Sequence, residues 1–163
     1  VDDPHFDLPS DDRPLKELRL RDMAVYHDME SQGINAVMPC HVVFPNIDKL
    51  PATFSSLFIH KELRHRLRFN GLIVSDDIMM GALSQFGDPV ERVIAARRAG
   101  CDLVLLCNSD HAADEVLSRS RLPQLSEESL ERLSKMQGGQ EFLQHDDRFN
   151  AARQKILELN LEH

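Results

Sequence analysis

The sequence has no tryptophan, one tyrosine and three cysteines, and each scarcity narrows what the chain can be. An odd number of cysteines (Cys40, Cys101 and Cys107) without close pairing argues against a disulfide framework and for a reducing compartment. Cys40 and Cys107 stand in apolar runs and are expected as small buried hydrophobes. No run is long and apolar enough to span a membrane and no signal peptide is present, so the expectation is a cytoplasmic protein without a membrane partner. A basic excess is lacking as well. The formal net charge of −8 argues against nucleic acid as the main partner, because phosphate binding needs a basic footprint. The basic clusters Arg64-His65-Arg66-Leu67-Arg68 and Arg97-Arg98 fall on predicted helices and read as solvated helix faces.

What is present is the composition of one ordinary domain: 163 residues, 42% hydrophobic and 28% charged. The stretch Gly71-Leu72-Ile73-Val74-Ser75-Asp76-Asp77-Ile78-Met79-Met80 organises it. A short apolar run entered through glycine suits a strand buried on both faces. It ends in two adjacent carboxylates, which places them at the carboxyl edge of a parallel sheet, where α/β enzymes hold their chemistry.

Upstream, Val1 to Arg13 holds five aspartates without periodicity and reads as a surface loop. A helix is predicted after Pro14, with Leu15, Leu18, Val25 and Met29 as its apolar side, ending near Gly33. Ala36 to Val43 is a strand broken by Pro39, with His41 at its carboxyl end. Ser55 or Ser56 caps a helix carrying Leu57, Phe58, Leu63 and Leu67, which stops at Asn70-Gly71. A helix over Pro89 to Ala99 closes on Gly100. Leu103 to Cys107 is the third buried strand, ending in Asn108, and a helix from about His111 to Leu117 follows.

Strands near 36–43, 72–76 and 103–108, each followed by a helix, have the spacing of βα units, and a parallel sheet is the consequence. The remainder changes character: Glu127 to Met136 and Arg148 to Leu161 read as covering helices separated by Gly138-Gly139. The expected organisation is residues 1–13 as a loop, 14–118 as βα units and 119–163 as C-terminal helices of one partial domain. A closed eight-unit barrel needs about 250 residues. The expected fold is therefore α/β, the C-terminal part of a TIM (β/α)8 barrel.

His41, the Asp76-Asp77 pair and Asn108 all emerge at one edge of such a sheet. A carboxylate there can be a metal ligand, a general base or a covalent nucleophile. Metal binding is the weaker choice, because no HExxH or Cys/His spacing accompanies the pair, and His60 and His65 stand five apart on a helix. A carboxylate nucleophile points to glycoside hydrolysis.

Ile73-Val74-Ser75-Asp76-Asp77-Ile78-Met79-Met80 resembles the nucleophile segment of bacterial β-N-acetylhexosaminidases of glycoside hydrolase family 3. Ala36-Val37-Met38-Pro39-Cys40-His41-Val42 is similar to the preceding strand of that family, which usually has alanine where Cys40 stands. Pro51-Ala52-Thr53-Phe54-Ser55, Phe69-Asn70-Gly71 and Ala99-Gly100-Cys101-Asp102-Leu103-Val104-Leu105-Leu106-Cys107-Asn108 fit in order and spacing. The similarity is strong over roughly residues 1–110.

The resemblance implies that Asp76 is the nucleophile and Asp77 a supporting residue. It also implies that Asp3-Pro4-His5 supplies the acid/base, His5, with Asp3 tuning it. Imidazole titrates near 6.5 when unperturbed, so both of its forms are accessible at neutral pH, and a nearby carboxylate favours the imidazolium. Pro4 departs from the small polar residue expected there. His41 and Met79 are implied as pocket lining. No metal or organic cofactor is implied. The substrate class is N-acetylglucosamine-containing peptidoglycan fragments. The family's Lys-His-Phe-Pro-Gly-His-Gly segment and earlier strands would precede Val1, so the N-terminal half of the barrel is the expected missing partner. Two alternatives stay open: another family 3 β-glycosidase, and an inert half-barrel serving as an assembly module.

Overall fold

Residues 7–119, 122–136 and 154–155 are described by the computed structural model. The chain divides into two units, Val1–Leu133 and Ser134–His163, where one partial domain was expected. In the second unit the described residues are 134–136 and 154–155, helical at 134–135 and 154–155. The rest of the helix expected over Arg148 to Leu161, and the break at Gly138-Gly139, lie outside the described residues.

The first unit begins with α1, Leu15–Leu20, and α2, Asp22–Ser31, where one continuous helix was expected. Leu18 and Met23 are the side chains this region buries, whereas Val25 and Met29 are exposed. Positions five apart lie roughly 140° apart around a regular helix and cannot face one core. The break at Arg21 (φ −112°, ψ −72°) turns both inward. Gly33, at φ 78°, then takes the left-handed conformation that follows a helix end.

β1 is Ala36–Val37 and β2 is Leu72–Ile73, paired in parallel with Ala36 opposite Leu72 and Val37 opposite Ile73. Val74 forms a parallel bridge with Leu103, so three parallel segments lie side by side in chain order. The regular ladder is much shorter than the expected strands, and side chains replace it. Pro39 has no N–H to donate. The carbonyls of Pro39 and Cys40 lie 3.0 and 3.1 Å from the Thr53 hydroxyl instead of facing a neighbouring strand. Val43 pairs with Ser10 on one side and Pro51 on the other. Beyond β2 the Ser75 hydroxyl accepts from the Leu105 N–H of the third segment, taking a ladder position with a side chain. β2 is buried at both residues, as expected, but Leu103 is exposed.

The crossover from β1 to β2 contains a wide helix over Leu57–Arg66 whose end closes i to i−5, Leu67 N–H to the Glu62 carbonyl. The Ser55 hydroxyl accepts from the Phe58 N–H and caps it. It ends before the expected Asn70-Gly71, with Arg68 at φ 56° in the left-handed region. Gly71 has a different reason to be glycine. A Cβ there would collide with the Asn35 carbonyl and the Phe69 ring.

α3, Pro89–Ala99, forms where expected. Asp88 accepts from the Glu91 N–H at 2.8 Å and Glu91 returns a bond to the Asp88 N–H at 2.9 Å. Pro89 opens it and Gly100, at φ 113°, closes it. α4, Asp110–Ser118, is capped by Ser109, and α5 is Glu127–Lys135. Ile59, Ile73, Ile78, Leu83 and Ala96 have no solvent exposure and form the core between β2, the wide helix and α3.

Asp102 ties this core together. Its buried carboxylate accepts from Arg64 at 2.7 Å, Arg132 at 2.9 Å, Ser129 at 2.6 Å and the Ile73 N–H at 2.8 Å. Burial alone would raise its pKa. Hydrogen bonds from Arg132, Ser129 and the Ile73 amide, with the charge of Arg64, outweigh burial and hold it below the ordinary value. The basic clusters are accordingly only in part solvated faces: His65, Arg68 and Arg98 are exposed, while Arg64, Arg66 and Arg97 are drawn into the fold. Arg64 also donates to the Phe69 and Gly71 carbonyls, Arg66 pairs with the buried Glu62, and Arg97 holds the carbonyls of Cys101 and Asp102.

Candidate active site

The ends of the three parallel segments converge at the turn Asp76–Met80. Hydrophobic anchoring sets its position, since Ile73 and Ile78 on either side are fully buried. Ile78 is also held by its N–H to the Leu105 carbonyl at 3.1 Å, while Arg92 grips its carbonyl at 3.1 Å. Between these anchors the chain presents two half-buried carboxylates with different surroundings.

Asp76 accepts one bond, from the N–H of its own neighbour Asp77 to Oδ1 at 2.8 Å. Asp77 is committed to the protein. Its Oδ1 accepts from the Met79 N–H and from the Cys107 N–H, each at 3.0 Å. Its main-chain carbonyl faces the His41 Nε2 at 2.9 Å. Asp77 therefore joins the ends of all three segments.

His41, expected to line the pocket, is instead buried at 1% exposure, with both ring nitrogens engaged by protein atoms. Nδ1 lies 3.0 Å from the Thr53 hydroxyl. Burial lowers the His41 pKa, against the opposing effects of the Asp77 carbonyl and the charges of Asp76 and Asp77. A carbonyl can only accept, so the neutral ring carries its proton on Nε2 and donates to Asp77, leaving Nδ1 beside the Thr53 hydroxyl, whose one proton also has the Pro39 and Cys40 carbonyls within reach. Met79 is half-buried in the turn and Asn108 stands exposed at φ 62°, a left-handed conformation that asparagine tolerates.

Cys40 and Cys107, expected to be buried, are exposed at this edge, because the ladder ends before both of them. Cys101 is the buried thiol, and burial pushes its pKa up to about 12. Among the described residues no three His, Cys, Asp or Glu side chains come together as a metal site would require, and no helix is long and apolar enough to cross a membrane.

Asp3 and His5 lie outside the described residues. The chain that follows them does not: Val43 donates to the Pro9 carbonyl and accepts from the Asp11 N–H, both at 2.9 Å. A cavity of about 750 Å³ opens between this segment, α2 and β1. Tyr26, Val37, Met38, Cys40 and Phe44 contribute to its mainly apolar wall.

Three features carry no obvious sequence signal: Thr53 as the partner of His41, the Cys107 amide as a ligand of Asp77, and Asp102 as a buried hub. Thr53 and Asp102 each stand inside a segment that fits the family pattern, which marked the segment without assigning the residue.

Residues 1–136 match the glycosyl hydrolase family 3 N terminal domain. Over 139 residues the chain is 42% identical to a beta-hexosaminidase of Methylobacillus flagellatus, covering 85% of this chain and 40% of that protein. Native NagZ from Neisseria gonorrhoeae superposes with a TM-score of 0.76 at 37% identity, covering 92% of this chain and 44% of that one. The same protein in complex with N-trifluoroacetyl-D-glucosamine gives a TM-score of 0.74 at 34% identity, covering 96% and 46%. The chain thus spans less than half the length of these relatives.

Proposed function

The chain belongs to glycosyl hydrolase family 3, and from that premise we propose that it carries the catalytic pair of a retaining β-N-acetylhexosaminidase. Asp76 is the nucleophile, His5 the acid/base and Asp3 its tuning partner. The chain forms part of a (β/α)8 barrel whose other strands complete the sugar site.

The observation that carries the proposal is the asymmetry of the two carboxylates. Asp76 stands at the convergence of three strand ends and, among the described residues, accepts a single amide at Oδ1, while Asp77 accepts two amides from separate segments. In the first step an Asp76 oxygen attacks the anomeric carbon as His5 gives its proton to the leaving glycosidic oxygen. A glycosyl ester on Asp76 results. His5, now neutral, takes a proton from water, whose oxygen attacks the same carbon and releases Asp76. Two displacements restore the configuration.

N-acetylglucosamine as the recognised sugar is supported by the relative crystallised with N-trifluoroacetyl-D-glucosamine. Met79, in the turn that follows Asp76, is proposed to line the pocket. The proposed substrates are terminal β-N-acetylglucosamine units of peptidoglycan turnover fragments, handled in the cytoplasm as in the members the sequence resembles.

The test is turnover of an aryl β-N-acetylglucosaminide by the intact protein. Asp76→Gly should lose about a thousand-fold or more in kcat, the scale on which removal of a covalent nucleophile acts. Added azide should restore turnover and give the α-glycosyl azide, because the small anion takes the vacant place of the carboxylate. Undiminished turnover by Asp76→Gly would remove Asp76 from this role.

A further inference from the structure

We infer that His41 is a positioning residue for the proposed nucleophile, acting through Asp77. The inference rests on the reading of Asp76 as that nucleophile.

The connection can be followed bond by bond. Thr53 and His41 are both fully buried, at 0% and 1% exposure, and lie 3.0 Å apart. The His41 Nε2–H donates to the Asp77 carbonyl at 2.9 Å. The N–H of the same residue donates to the Asp76 Oδ1 at 2.8 Å. Rotating the 76–77 peptide would swing the Asp76 carboxylate. His41 holds residue 77 from the far end, and the Met79 and Cys107 amides hold its side chain from two further directions. Residue 77 is pinned at three points and can rotate only if one of them breaks.

Asp77 is thereby fitted to a structural role. Its Oδ1 has both in-plane acceptor directions filled by amides, which a substrate hydroxyl would have to displace. Its charge is not what these bonds need either, since an amide oxygen accepts from an N–H as a carboxylate oxygen does. The role is geometric. The same holds for His41, whose contribution is one buried N–H aimed at one carbonyl.

Displacement at carbon tolerates little error in the attacking atom's position, and a shift of about 1 Å can cost on the order of a hundred-fold in rate. Sugar binding draws on other contacts. Loosening residue 77 should therefore lower kcat by about a hundred-fold with KM held within about threefold.

The experiment compares two pairs of variants in the intact protein on an aryl β-N-acetylglucosaminide, with thermal unfolding recorded for each. Asp77→Ala removes the side-chain acceptor and Asp77→Asn keeps it. His41→Met fills the volume without a donor, and His41→Gln retains an N–H. Asp77→Ala and His41→Met should lose kcat at nearly constant KM, while Asp77→Asn and His41→Gln recover most of it. Should Asp77→Ala or His41→Met fail to fold, the conservative pair decides the matter. Near-normal kcat in both conservative variants supports positioning, and a loss as deep as that of Asp76→Gly in either overturns it. Full kcat in a folded His41→Met also overturns it. Mass spectrometry of an adduct with a fluorinated glycosyl donor separates this from the underlying reading. An adduct on a residue other than Asp76 sinks the nucleophile assignment itself.

Discussion

Arg64 and Asp102, 38 residues apart in the chain, meet at 2.7 Å inside the first unit. The same guanidinium holds the carbonyls of Phe69 and Gly71 at 2.9 and 2.6 Å. One ion pair therefore ties the last turn of the wide helix to the chain leading into β2 and to the start of the third segment. The Asp102 side chain is fully buried and that of Arg64 is 16% exposed. Asp102→Ala would leave Arg64 and Arg132 without their carboxylate. Removing one partner of a buried pair costs about 3–5 kcal/mol. The urea midpoint of the intact protein should fall accordingly, and an unchanged midpoint would contradict the assignment.

The same carboxylate gives stability a defined dependence on pH. Asp102 and Glu62 are both held below their ordinary values, each by hydrogen bonds from arginines that outweigh burial. The folded state keeps them ionised where the unfolded chain has begun to bind protons, so stability rises with pH across that window. Their contribution should be complete above roughly pH 5, past the ordinary carboxylate range. It should be lost as pH falls through their depressed folded values. Unfolding free energies measured from pH 6 to pH 3 in the parent and in Asp102→Asn should converge as the pH drops. Parallel curves would show that Asp102 is not the group responsible.

Gly71→Ala tests a steric claim. The new methyl would meet the Asn35 carbonyl, a backbone atom that cannot rotate away. Forced overpacking of this kind costs about 1–3 kcal/mol, read as a drop in thermal midpoint. Gly33→Ala provides a contrast. A methyl there meets nothing within 4 Å, and strain comes only from φ of 78°.

Thiol chemistry separates the cysteines. Cys40 and Cys107 are exposed, whereas Cys101 is buried with its pKa pushed up to about 12. A disulfide reagent such as DTNB should titrate two thiols in the folded protein, Cys107 ahead of Cys40, whose pKa burial raises, and the third only on unfolding. Cys101→Ser should leave the fast count unchanged. Fast reaction of a third thiol would place Cys101 at the surface.

Much of this was legible from residue types alone. Asp88-Pro89 and Gly100 bracket α3, because capping chemistry is local and needs no partner from elsewhere in the chain. The burial of β2 could be read from its apolar run. Strand lengths could not, because the pairing that ends at Val37 and Val74 is set by Thr53 and Ser75, hydroxyls that a periodicity count passes over. The arginine clusters misled for a related reason. Their sequence spacing fits an exposed face, while their partners, Asp102 and Glu62, lie far away in the chain or carry no sign of burial in their type. At the site, the position of the Asp76-Asp77 pair where β2 gives out was readable from the sequence. The bracing of Asp77 by His41 and the Cys107 amide was not, since it depends on three segments meeting in space.

Val43 is paired twice, once to the chain that precedes α1 and once to Pro51. The first pairing consists of two backbone hydrogen bonds, to Pro9 and from Asp11, while the Asn46 side chain holds the carbonyls of Asp12 and Arg13 just beyond. Each backbone bond is worth about 1 kcal/mol net. Undocking residues 9–11 would break both bonds and expose the buried Pro9, while Asn46 could keep its grip on the chain just beyond, and exchange at the Val43 and Asp11 amides would count how often this happens.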